Sequence, residues 1–179
     1  MQIRRIRRIR WGRQDGQSLL ETAIAMPLLM MLAFNAINVG YIWFMVLALS
    51  AAPRHGVQFA SQGGAAIQTT STPSTTLIKN VVYDNLTNAI HGATTSNASV
   101  RVCAASKGID STTHKALCDT YGPSYSFPAI DEDPEAPLYV LQRVDVVYTL
   151  TPIIPGGAFN AVLPSNLQFH RQVSMRSLY

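Results

Sequence analysis

The chain has 179 residues, 47% hydrophobic and 13% charged, with a formal net charge of +4. It is too apolar for a disordered chain, and its charged fraction is about half that of an ordinary soluble domain. The six arginines Arg4, Arg5, Arg7, Arg8, Arg10 and Arg13 against Asp15 give the first sixteen residues +5, so everything after Gly16 sums to −1. The pI near 9.3 therefore belongs to a short tail and excludes the obvious reading of a nucleic-acid-binding domain.

No charged residue stands between Glu21 and Arg54. A hydrocarbon core of about 30 Å takes about 20 helical residues, so this run is long enough to cross a bilayer. We expect a membrane helix over Thr22 to Ser50, with Pro27 interrupting it without ending it. Arginines before the run and only Arg54 close after it place the N-terminus in the cytoplasm and the rest of the chain outside. A cleaved secretory signal ending near Ala48-Leu49-Ser50 or Ser50-Ala51-Ala52 is the competing reading. It suffers from an apolar run about twice the usual 7 to 15 residue length.

Beyond Pro53, residues Arg54 to Ala66 continue as helix, with Gly63-Gly64 as its end. Thr69 to Thr76 reads as a polar linker. Leu77, Ile78, Val81, Val82, Leu86 and Ile90 follow helical spacing and predict an amphipathic helix over Leu77 to Ile90, capped by Ser74 or Thr75. Ala98 to Ala104 predicts a short strand with Val100 and Val102 on one face.

Leu138 to Leu150 is the clearest strand, with Val144, Val146, Tyr148 and Leu150 on one face and Arg143, Asp145 and Thr149 on the other. Leu167 to Ser177 alternates similarly, its apolar face interrupted by Arg171. The Pro- and Gly-rich connection between them, TPIIPGGAFNAVLP, predicts an antiparallel pair. The expected fold is α+β: a basic leader over 1–16, a transmembrane and assembly helix with its extension over 17–66, and an exported head over 67–179 in which an amphipathic helix packs on a short antiparallel sheet.

Cys103 and Cys118 enclose fourteen residues. A disulfide closing such a loop is worth about 3 kcal/mol, and it is favoured over a metal site built with His114, which lacks a recognisable fourth ligand. Asp131, Glu132, Asp133 and Glu135 crowd a loop without the spacing of a calcium-binding EF-hand, and read as a solvated acidic loop. The four histidines show no close metal-ligand spacing, and no phosphate loop, nucleophile elbow or dinucleotide fingerprint is present. No metal site, cofactor or catalytic residue is nominated, and the chain is not expected to be an enzyme.

The junction Arg13-Gln14-Asp15-Gly16-Gln17-Ser18-Leu19-Leu20-Glu21, followed directly by the apolar run, resembles the processing site of type IV pilin-like proteins. The longer string GQSLLETAIAMPLLMMLAFNAINVGY resembles the start of the TadE-like family, pseudopilin components of tight-adherence (Tad) pilus systems. Its matching positions are Gly16, Gln17, Ser18, Leu19, Leu20, Glu21, Pro27 and Gly40. The ending, VDVVYTL through FHRQVSMRSLY, is similar to the family's last strands. Asp15 stands where a basic residue is common, and Asn38 where an acidic one is.

The resemblance implies cleavage by prepilin peptidase between Gly16 and Gln17, and a role for Glu21 in assembly. It also implies helix packing through Pro27 and Gly40, and partnership with other pilin-like subunits and the Tad assembly platform in the bacterial inner membrane. Independently of it, a carboxylate at the edge of an apolar helix is a functional candidate, since carrying it to the bilayer centre costs about 2.5 to 3.5 kcal/mol. Cleavage after Gly16 would put the α-amine of Gln17 one turn from Glu21, available to it or to the Glu21 of a neighbouring subunit. The alternative is an uncleaved, membrane-anchored domain that binds an extracellular ligand through the acidic loop or around Tyr121 and Tyr125.

Overall fold

The computed structural model describes residues 15–62, 72–154 and 167–178. Helix α1 (Asp15–Ser61) is followed by helix α2 (Thr75–Ala89), strand β1 (Ala98–Cys103), a 3-10 turn (Ala105–Lys107) and strands β2 (Cys118–Tyr121), β3 (Tyr139–Leu150) and β4 (Leu167–Leu178). The class is α+β, with a long apolar helix leading into a four-stranded antiparallel sheet of order β2-β1-β3-β4.

The 47 residues of α1 extend about 70 Å at 1.5 Å per residue. Pro27 and Pro53 both lie inside the helix. Up to Ile37 no described side chain of α1 is fully buried; from Asn38 onward buried positions recur every three to four residues or one heptad apart, through Met45, Leu49, Ala52, Gly56 and Ala60. That spacing is one stripe of a helix, and it faces the head. Only 17% of the helix's most apolar window is buried, so α1 is not the enclosed core helix of a soluble domain.

The head's core forms between this stripe, the buried stripe of α2 (Ile78, Val82, Leu86) and the inner face of the sheet. The register pairs Val100 with Val146 and Val144 with Val173, placing the alternating valines on that inner face. Each such side chain removed from water contributes about 1.5 to 3 kcal/mol. Gly56 lets α1 and α2 approach: a Cβ there would stand 2.5 Å from Val82 Cγ2. Gln142, buried on β3, donates to the carbonyl of Ala60 (3.2 Å), one of the last-turn acceptors of α1 that has no partner within the helix.

Several boundaries differ from those expected. Helix α2 starts at Thr75, with the Ser74 hydroxyl accepting from the N–H of Leu77 (3.4 Å), so Ser74 is the cap and the preceding linker is shorter than TTSTPSTT. Leu77 is 52% exposed, whereas Tyr83 belongs to the buried stripe and donates its hydroxyl to the carbonyl of Ala98 (2.9 Å). Strand β2 was not expected; its CDTY sequence has no apolar alternation and pairs with β1 through its backbone. The helical extension ends at Ser61, and Gly63-Gly64, like most of the connection between β3 and β4, lies outside the described residues.

Candidate functional site: a two-part helix on a braced head

Gly16 and Gln17 sit in the first turn of α1, both exposed, and nothing lies within 4 Å of a Cβ built on Gly16. Gln17 Nε2 donates to Glu21 Oε1 at 3.4 Å. The Glu21 carboxylate is thus within reach of residue 17, as the one-turn spacing requires. Ala23, Met26, Pro27 and Met30 line a groove of about 280 Å³ on this free half. Pro27 has no N–H to give to the carbonyl of Ala23, which removes one rung of the helix ladder there. Gly40 is exposed, and among the described residues nothing lies within 4 Å of a Cβ built on it; the glycine that mediates close packing in the head is Gly56.

The transition between the two halves of α1 is made by Asn38. Its side chain is fully buried; Nδ2 donates to the carbonyl of Ile154 (3.3 Å), and Oδ1 accepts from the Ile154 N–H (3.1 Å). The segment following β3 is therefore tied to the helix by both of its backbone polar groups. The sequence marks Asn38, with Asn35 and Pro27, as an interruption of the apolar run and as a departure from a family pattern, without a partner for it. An Asn in an uncharged helix was the available signal, since a polar group in that setting needs a partner.

The head is braced on the face of the sheet that points away from the helices. Asp145 is completely buried at its centre. Its Oδ2 accepts from Arg101 Nε (3.2 Å) and Nη2 (3.0 Å) and from Arg143 Nε (2.9 Å), and its Oδ1 from Arg143 Nη2 (3.0 Å). His170 Nε2 stands 2.9 Å from Oδ1. Burial pushes this carboxyl up, but the Arg143 hydrogen bonds, the Arg101 charge and the His170 contact outweigh it and hold Asp145 below the ordinary carboxylate range.

A strap over residues 122–137 covers the cluster. Arg101 Nη1 donates to the Pro128 carbonyl (2.9 Å), its guanidinium lies 4.8 Å from the Phe127 ring centroid, and Ser99 donates to the Pro123 carbonyl (2.6 Å). The outer face of β3 carries Arg143 and Asp145 together with Leu141 and Val147, and its centre is enclosed.

The acidic loop is only in part the solvated loop expected. Asp133 is buried and accepts from the Leu141 N–H (2.9 Å) and from Arg176 Nη1 (2.8 Å), pinning the strap to the start of β3 and the end of β4. Burial raises its pKa, but the Leu141 N–H and Arg176 outweigh that and hold this carboxyl below the usual range as well. Asp131, Glu132 and Glu135 are exposed. Tyr121 donates to Thr75 Oγ1 (3.1 Å) under Lys79, and Tyr125 packs edge-on to Phe127 (5.0 Å). Both tyrosines named for ligand binding are thus half-buried and engaged within the head.

Cys103 and Cys118 face each other across β1 and β2 and are joined by a disulfide. With both thiols consumed, Cys118 has no thiolate to offer a metal beside His114. Among the described residues no group of three or more His, Cys, Asp or Glu side chains could hold a metal ion. Comparison with protein-family models, curated proteins and solved structures finds no match for this chain.

Proposed function

We propose that the chain is a minor pilin or pseudopilin of a Tad-type pilus or secretion system. It is cut by prepilin peptidase after Gly16 at the cytoplasmic side of the bacterial inner membrane, and it assembles through α1. The observation that carries this reading is the division of α1: a largely exposed half, opening on Gly16, Gln17 and Glu21 and uncharged beyond Glu21, continues without a break into a half that belongs to the head's core. Such a helix carries a folded domain outside the membrane and offers its bare half to other helices.

In assembly the bare halves leave lipid and pack on one another, and the exposed Gly40, just beyond them, allows close approach there. After cleavage, the α-amine of Gln17 is a cation at one end of an apolar helix, and Glu21 of a neighbouring subunit is its natural counter-charge. The pairing sets the axial register of adjacent helices. The competing anchored binding domain has less to rest on, since Asp133, Tyr121 and Tyr125 are used to hold the head together.

Mass spectrometry of the mature chain tests the processing claim. An N-terminus at Gln17 supports it, one at Met1 leaves an anchored domain, and one at Ala51 sinks both. Glu21→Ala is expected to abolish incorporation into filaments in cells while leaving the melting temperature of the head unchanged; normal incorporation would remove Glu21 from the mechanism.

A further inference from the structure

The depth of the head relative to a bilayer follows from the charges on α1. If the Glu21 carboxylate stays at the headgroup level, a hydrocarbon layer of about 30 Å ends about 20 residues later, near Tyr41, and ordinary tilt moves that end about one residue further. Asn38 then lies about 4 to 6 Å inside the layer. Trp43, 69% exposed and off the stripe covered by the head, stands at the interface, where an indole is favoured.

The head reaches down to the same level, because Asn38 holds both backbone polar groups of Ile154. Irregular backbone at hydrocarbon depth is tolerated only where protein satisfies its polar groups. At Ile154 that demand is met, since its N–H and carbonyl are both bonded to Asn38, and Pro152 beside it has no N–H to satisfy. Ile153 is 54% exposed. The chain carries no Asp, Glu, Lys or Arg between Asp145 and Arg171, so nothing charged in that sequence opposes entry into lipid.

We propose that the Thr151–Ile154 loop is a wedge that dips into the leaflet on the head's side, with Ile153 against acyl chains and Asn38 supplying the hydrogen bonds that lipid lacks. The inference rests on the reading of α1 as membrane-spanning. The head is then seated in the lipid surface at a fixed depth and rotation, its sheet held close to the membrane by the β3 end of the fold.

The test uses the full chain in phosphatidylcholine vesicles, with Trp11→Phe and Trp43→Phe removing the native indoles. Ile153→Trp reports the loop and Leu32→Trp the bare half of α1, each quenched by acyl-chain-brominated lipid and by aqueous iodide. We expect brominated lipid to quench both by at least twofold, with iodide ineffective on either. Adding Asn38→Leu to Ile153→Trp should release the loop and make the indole iodide-accessible.

An indole at position 153 that iodide quenches and brominated lipid does not, while the one at position 32 behaves as expected, overturns the wedge and leaves the spanning helix standing. Failure of bromine quenching at position 32 overturns the spanning reading and the wedge with it. An Asn38→Leu variant whose loop stays quenched by bromine removes Asn38 from the proposal.

Discussion

Replacing Asp145 with Asn is the sharpest perturbation the head permits. The carboxylate is fully buried and is the shared acceptor for the guanidinium groups of two buried arginines. Removing its charge leaves Arg101 and Arg143 buried as uncompensated cations, and breaking a buried pair in this way costs about 3 to 5 kcal/mol. At about 2.1 cal/mol/K of unfolding entropy per residue, the roughly 140 residues from Asn38 to the end of β4 turn that into a fall of about 10 to 17 °C in melting temperature.

Near-ultraviolet circular dichroism of the full chain in a mild detergent, without reductant, reads the shift. The acid limb gives a second reading. Both Asp145 and Asp133 are held below their ordinary values, so they contribute stability that is full above the unfolded pKa of about 3.9 and is lost as pH falls through the lower folded values. The wild-type melting temperature should therefore drop below about pH 4, and Asp145→Asn should flatten that drop. A loss under about 3 °C for Asp145→Asn, or an acid limb unchanged by it, would refute the brace.

Three further outcomes are expected in the same assay. Gly56→Ala on an open helix would gain about 1 kcal/mol, but here the new methyl meets Val82 Cγ2 and the overpacking costs about 1 to 3 kcal/mol. The substitution should destabilise the wild type and stabilise a Val82→Ala background, and equal signs in both would refute the contact. Cys103→Ser with Cys118→Ser should cost about 2 to 4 kcal/mol, matched by adding reductant to the wild type; unequal shifts would point to a cause other than the lost crosslink. Gly122 has φ of +87°, and a Cβ on it would stand 2.2 Å from the Ala98 carbonyl oxygen and 2.8 Å from the Tyr83 hydroxyl. Gly122→Ala should lower the melting temperature more than Tyr83→Phe, which loses about 1 kcal/mol of hydrogen bond; the reverse order would contradict the packing.

What could be read from the sequence was what periodicity encodes. The inner faces of β3 and β4, including the interruption at Arg171 opposite Val146, follow from period two alone. The long helix follows from the uncharged run. Strand β2 was invisible because its backbone pairing requires no apolar alternation from CDTY. Asp145 was assigned correctly to the outer face, but nothing in one strand's pattern tells whether that face meets water or is closed by the strap that reaches Arg101 through Pro128. Asp133 was missed for the same reason, since its charge partner Arg176 lies 43 positions away and is brought near only by the β3–β4 register. On α1, hydropathy could not separate the bare half from the head-covered half, because Met45, Leu49 and Ala52 are as apolar as the exposed residues of the first half.

The burial of the second half of α1 bears on the two cleavage sites the sequence left open. A cut after Gly16 leaves every described core residue of the head in the mature chain. Cutting near Ala51 would detach Asn38, Met45 and Leu49 from the core. The two apolar side chains alone account for about 3 to 6 kcal/mol of burial, a large part of the 5 to 15 kcal/mol that stabilises a typical domain, and the Ile154 backbone would lose both hydrogen bonds to Asn38. A secretory signal is a segment that the mature domain can lose without consequence. The half of α1 beyond Asn38 does not meet that definition, and a chain cut near Ala51 should be recovered, if at all, as an unstable product degraded faster than one beginning at Gln17.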